Sequence, residues 1–368
     1  MLSLEILLTA VVTAAACALP GVFLVLRRMS MMSDAVSHAV LPGIVIAYFM
    51  LQDLNDPRLI VAAAVTGLAT VALVELLQRS KLVKEDAAIG VVFPVFFSVG
   101  VLLIAQYADD VHLDIDAVLL GELAFVPFDR FMWGALDLGP KALWMMGGIL
   151  LVNLLLLLVF YKELKLATFD GALAASLGFA PVVLHYGLMA LLSVTAVGAF
   201  EAVGSILMVA LVVGPATTAR LLTDRLDRTI YLAVGLGILG ALLGYGLARA
   251  LDSSIAGAMA TMQGVQLLAV IAFAPRTGWV AQSRRKRQQA TEFATRLLTI
   301  HLLQHEHEPD AVTECRRDHL LMHFNWDQAQ ADRVVRHALH EGIVTEKGPL
   351  LQLTNGGRQL AQRSATTF

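Results

Sequence analysis

Nine stretches of about 20 apolar residues, crowded between Leu2 and Ala274, restrict what this chain can fold into more than any other feature. A helix of about 20 residues crosses the hydrocarbon core of a bilayer, and lipid offers no partner to backbone N–H and C=O groups that a helix leaves open. The runs fall at roughly 3–26, 34–51, 57–78, 86–107, 141–161, 180–199, 203–222, 229–250 and 254–274, which predicts an all-α polytopic membrane protein with about nine transmembrane helices. Composition agrees. Hydrophobic residues make up 57% and charged residues 15% of the chain, against roughly 45–50% and about 25% in a soluble domain. The apolar character stops near Ala274 and the chain is polar from there to Phe368. The expected organisation is a transmembrane domain at 1–278, a basic linker at 279–290 and a small domain at 291–368.

Charge orients the spans. The clusters Arg27/Arg28, Arg79/Lys81/Lys84, Lys162/Lys165, Arg220/Arg225/Arg228 and Arg276/Arg284/Arg285 fall on one side, while Asp53/Asp56, Asp109/Asp110/Asp114/Asp116, Glu122 and Asp252 fall on the other. Loops retained inside are rich in Lys and Arg, so the N-terminus is expected outside and the C-terminal domain in the cytoplasm, in the inner or plasma membrane of the cell. The first run lacks a basic leader and outlasts a signal-peptide core, which makes it a retained span. With only Cys17 and Cys315, one in each part, no disulfide framework is expected. The segment 114–140 is too broken for a span, and its acids, prolines and aromatics suit an interfacial helix or re-entrant hairpin on the outer face. The join VGAFEAVG between the sixth and seventh spans is short enough for a tight hairpin.

Charged side chains inside a bilayer are costly and usually face a cavity or a partner. In RRMSMMSDAVSHAVLPG, Asp34 and His38 stand four residues apart, on one face of a helix. Pro42 has no N–H for the carbonyl of His38, which is thereby freed. A carboxylate, an imidazole and a carbonyl within one turn suit a divalent Mn, Zn or Fe ion. Asp34 could equally cap the helix N-terminus. Glu201 in the sixth–seventh join could be a ligand, an outer gate or a solvated loop acid. His185 reads as a satisfied core histidine, Glu75 as an acid snorkelling toward water, and Gly198, Gly204, Gly214 and Pro215 as packing and kink residues.

No GxxxxGK[ST] phosphate loop occurs, so a pump built on this chain would be driven by an ATPase docked on it or by an ion gradient. The stretch KLATFDGALAASLGFAP, 165–181, is a docking candidate: a short helix opened by Thr168 or Asp170 and closed by Gly178.

RRMSMMSDAVSHAVLPG, FDGALAASLG and VGSILMVALVVGPATTARLL together resemble the membrane subunits of the ABC-3 family of manganese, zinc and iron importers, over about residues 1–275. The resemblance implies the permease fold shared with vitamin B12-type importers, with the path at the axis of a homo- or heterodimer of permease subunits. It also implies a metal-binding solute-binding protein that delivers the ion, a separate ATP-binding cassette subunit, and no covalently bound cofactor, the divalent metal being cargo. Asp34 and His38 carry over as metal-pathway positions. Phe169, Asp170, Gly171, Leu173 and Gly178 carry over as the ATPase contact, although the family commonly has an acid where this chain has Gly171 and Ala172. Asp with His serves all three metals, so the sequence does not choose among them.

Beyond the spans, helices are expected at 289–304, 315–323 and 327–341, then two strands around Lys347-Gly348-Pro349 and a helix opened by Thr354. That order describes a small α+β winged helix, and LTNGGRQLA resembles metal-dependent repressors of the diphtheria-toxin-repressor type. Acids from Glu306 to Glu346 dilute the basic residues, which disfavours nucleic acid and favours a regulatory or dimerisation module over a membrane-tethered, metal-responsive DNA-binding regulator. Seven of the ten histidines lie here. Cys315, His319 and His323 recur every four residues, with His305 and His307 upstream, a pattern fit for a regulatory metal or for solvated histidines on a polar helix.

Overall fold

A computed structural model describes residues 2–52, 56, 58–107, 123–133, 136–275, 278–309 and 311–365. The chain divides into two compact units, Met1–Ala274 and Pro275–Phe368. Among the described residues of the first, nine helices are long and apolar enough to cross a membrane.

The first unit opens with α1 (Leu2–Leu26). The second span is divided into α2 (Met31–Ala39) and α3 (Leu41–Leu51). Then come α4 (Arg58–Arg79), α5 (Glu85–Tyr107), strands β1 (Arg130–Trp133) and β2 (Leu136–Pro140), and α6 (Lys141–Val159). Two short helices, α7 (Tyr161–Phe169) and α8 (Gly171–Ser176), precede α9 (Pro181–Val203), α10 (Ser205–Leu222), α11 (Leu226–Leu251) and α12 (Ile255–Phe273).

Small side chains make α1 the inner helix. Ala14, Ala16, Cys17 and Ala18 are wholly buried, and α1 packs on α6, α9, α10 and α11. A Cβ at Gly21 would stand 2.0 Å from the Val212 carbonyl oxygen, so only glycine lets α1 and α10 approach this closely. Elsewhere Val95, Phe97 and Leu102 of α5 and Leu151, Leu155 and Leu158 of α6 are exposed, the pattern of a lipid-facing surface. The α9–α10 hairpin is as tight as its sequence suggests: Gly204 alone joins the helices, at φ +80°.

Of the segment expected as an interfacial helix or re-entrant hairpin, residues 123–133 and 136–140 are described, and they hold a 3₁₀ turn at Val126–Phe128 and the antiparallel strand pair β1–β2 in place of a helix. Arg130 anchors it by ion pairs to Asp137 at 2.5 Å and to Glu5 of α1 at 3.2 Å. The acidic run Asp109, Asp110, Asp114, Asp116 and Glu122, with Asp53 and Arg276, lies outside the described residues.

In the second unit, the tract 279–290 is helical, forming the first turns of α13 (Trp279–His305). After it come α14 (Ala311–Glu314), α15 (Arg317–His323), α16 (Gln328–His340), the strands β3 (Val344–Lys347) and β4 (Leu350–Leu353), and α17 (Asn355–Ala365). The β3–β4 pair is an antiparallel hairpin turning at Gly348, φ +63°. Asp327 caps α16 by accepting from the Gln330 amide at 2.5 Å, and Thr354 caps α17 by accepting from the Gly357 amide at 3.1 Å. Leu298, Leu302, Leu320, Val334, Ala338 and Leu351 form its core.

Candidate functional site: a polar turn beneath a helix break

Asp34 and His38 come together on α2, with His38 Nε2 3.5 Å from Asp34 Oδ1. The carboxylate is about half exposed and the imidazole a quarter exposed. Asp34 does not cap the helix; the capping position is Ser30, whose side chain bonds no helix amide. Ser33 and Ser37 donate back to the carbonyls of Ser30 and Asp34 at 2.9 and 2.7 Å, which leaves Asp34 and His38 as the polar groups turned outward. Phe93 and Phe97 of α5 flank the imidazole, ring centroids 6.1 and 6.0 Å away.

Pro42 explains why the helix divides just past this turn. It cannot donate to the His38 carbonyl, α2 ends at Ala39, and α3 restarts with Ile44 donating to Val40 at 3.2 Å. Val40 and Ile44 then line a cavity of about 500 Å³ together with Asp56, Lys141, Trp144 and Glu201. Glu201 is not a loop acid, because α9 continues through it to Val203. It shares that cavity with Asp56 and Lys141, and neither Asp34 nor His38 lines it.

A second polar cluster involves residues that the sequence suggests are bland. Glu75 of α4 accepts from the Tyr186 hydroxyl at 2.8 Å and pairs with His185 Nε2 at 2.5 Å, both on α9. Arg27, just past α1, reaches His185 Nδ1 at 3.2 Å and donates from Nε to the Thr168 hydroxyl of α7 at 3.2 Å. Glu75 therefore faces inward, in place of the snorkelling expected from its position near a helix end. No sequence signal links partners so far apart.

Thr168 being engaged there, Asp170 alone opens α8, accepting from the Leu173 amide at 2.9 Å. Gly178 closes the element at φ +86°. Phe169, Leu173 and Leu177 are exposed around this short helix, and a Cβ at Gly171 would meet nothing.

In the second unit, His305, His319 and His323 gather near two residues that spacing did not single out, His301 and Glu314. Burial pushes the His301 imidazole below its ordinary pKa. His307 is exposed in the turn after α13 and Cys315 is buried in the core, and neither belongs to this group. The reason is local: Arg316 is extended, at φ −82° and ψ 141°, so Cys315 does not share a helix with His319 and His323.

Residues 2–274 match the model of the ABC 3 transport family. The chain is 46% identical over 361 residues to the zinc transport system membrane protein TroD of Treponema pallidum (strain Nichols), covering 98% of each protein. That alignment is long enough to include the C-terminal unit. To the manganese transport system membrane protein MntD of Bacillus subtilis (strain 168) it is 45% identical over 280 residues, 76% of this chain and 95% of that one. Among solved structures, PsaBC from Streptococcus pneumoniae in complex with Fab is similar at a TM-score of 0.63 and 28% identity, covering 76% of this chain and 94% of that chain.

Proposed function

Because the chain belongs to the ABC 3 transport family, we propose that it is the permease subunit of an ATP-driven importer of divalent metal ions, with Mn, Zn and Fe as the candidate cargo. The observation that carries this reading is the Asp34–His38 pair, 3.5 Å apart, next to a helix break that leaves the His38 carbonyl without its usual amide. A carboxylate oxygen, an imidazole nitrogen and a carbonyl oxygen form a mixed hard and borderline donor set, which fits these ions. Zinc and manganese transport, named for the two relatives above, supports the same class.

In this reading a solute-binding protein delivers the ion to the outer side, where Glu201 and Asp56 give the cavity its acidic rim. The ion then meets Asp34 and His38 on a path shared with a second permease subunit. Phe93 and Phe97 restrict water around the imidazole, and the α2–α3 break lets the upper half of the span tilt without unwinding the lower half. A separate ATPase docks on the exposed apolar residues of α8, Phe169 and Leu173, and the Thr168–Arg27–His185–Glu75 chain links that element to α1, α4 and α9. The N-terminus lies outside and the C-terminal unit in the cytoplasm, where the unit serves as a fused regulatory module of winged-helix type.

Uptake of labelled manganese and zinc by cells carrying the whole transporter tests this. Asp34→Ala and His38→Ala should each abolish uptake while the ATPase still co-purifies with the permease. Undiminished uptake in both variants would sink the assignment.

A further inference from the structure

We propose that the C-terminal unit binds a divalent transition-metal ion of the zinc type at Glu314, with its nitrogen ligands drawn from the imidazoles of His301, His305, His319 and His323. Two groups of three share this glutamate: His301, His305 and Glu314, and Glu314, His319 and His323. Within each group one ligand atom per residue lies within 4.8 Å of the others. His319 Nδ1 is 3.1 Å and His301 Nε2 3.7 Å from Glu314 Oε2. Around a tetrahedral zinc ion with bonds of about 2.0–2.1 Å, ligand atoms stand about 3.3 Å apart. Small side-chain rotations close the remaining difference.

The crowding of the rings sets this cluster apart from a simple ion pair. Two carboxylates face the four imidazoles, Glu314 and Glu308, the latter 3.0 Å from His305 Nδ1, and the rings crowd together, with ring centroids of His301 4.7 Å from His305 and 4.4 Å from His323. In its neutral form each ring offers one nitrogen lone pair to a Lewis acid. The His301 side chain is only 4% exposed. Phe324 packs on His301 and His323 at 5.2 and 5.1 Å and stacks on Trp326 at 4.5 Å, forming an aromatic wall that limits solvent access. The ligands come from α13, the end of α14, and α15, so an ion would staple three elements into one body. The regulatory purpose rests on the reading above; the binding chemistry does not.

The test uses the full-length protein, purified in detergent, stripped with a chelator and titrated with zinc against a chromogenic competitor. Glu314→Gln and the double variant His319→Ala/His323→Ala should each lose one bound zinc per chain, or at least about tenfold in affinity for it, with an unchanged circular dichroism spectrum. His307→Ala, equally implicated by spacing alone, should bind as the parent does. Equal stoichiometry and affinity in the parent and both Glu314 and His319/His323 variants would overturn the proposal, as would an equal loss on His307→Ala. Asp34→Ala/His38→Ala reports separately on the transport site, and the tail's zinc should persist in that variant.

Discussion

His185 Nε2 sits 2.5 Å from Glu75 Oε1, and this contact pins the start of α9 to the end of α4. Both side chains are more than four-fifths shielded from solvent, and the same glutamate takes the Tyr186 hydroxyl. Glu75→Ala removes the acceptor for two groups on α9 at once. A hydrogen bond to a charged group is worth about 1.5–3 kcal/mol, and the His185 ion pair is lost with it, so the variant should melt several degrees lower in detergent. It should also transport less while keeping its ATPase. Unchanged melting and uptake would show the cluster to be idle.

Pro42→Ala restores a donor to the His38 carbonyl and removes the ring that divides α2 from α3. The span should become continuous and no less stable by thermal melting. Uptake should fall sharply, because the carbonyl is taken up by the helix and the break no longer bends. Full uptake would show that the break has no part in transport.

Asp170→Ala deletes the cap of α8, at a typical cost of about 1 kcal/mol. Asp170→Asn keeps the cap and loses the charge. If shape governs docking, the ATPase should co-purify with the Asn variant and poorly with the Ala variant. Loss in both would assign the contact to charge instead.

At Gly21 a side chain collides with the Val212 backbone, whereas at Gly147 of α6 it meets nothing. Gly21→Val should cost about 1–3 kcal/mol or more, read as a lower melting temperature and yield. Gly147→Ala should be neutral or stabilising by up to about 1 kcal/mol.

The spans were legible because a bilayer imposes a fixed length of apolar sequence, and that rule located all nine. Pro42 also announced its break, since a missing N–H is a local fact. What stayed hidden was long-range. Glu75 looks like a snorkelling acid until α9 brings His185 and Tyr186 against it. In the C-terminal unit, the four-residue spacing of Cys315, His319 and His323 misled because one extended residue, Arg316, resets the helix phase. His301 and Glu314 were missed since they converge only when α13 and α14 pack. The Thr354 cap was readable, being encoded within a few residues.

The burial of α1 has a consequence for how the protein is made. This helix precedes α6, α9, α10 and α11 in the chain, yet those four later envelop it. It is therefore made before the neighbours that bury it. Its sequence suits both stages: apart from Glu5 it carries no charge, so it can wait in the bilayer alone, and its alanines and Gly21 keep it slender enough to be enclosed afterwards.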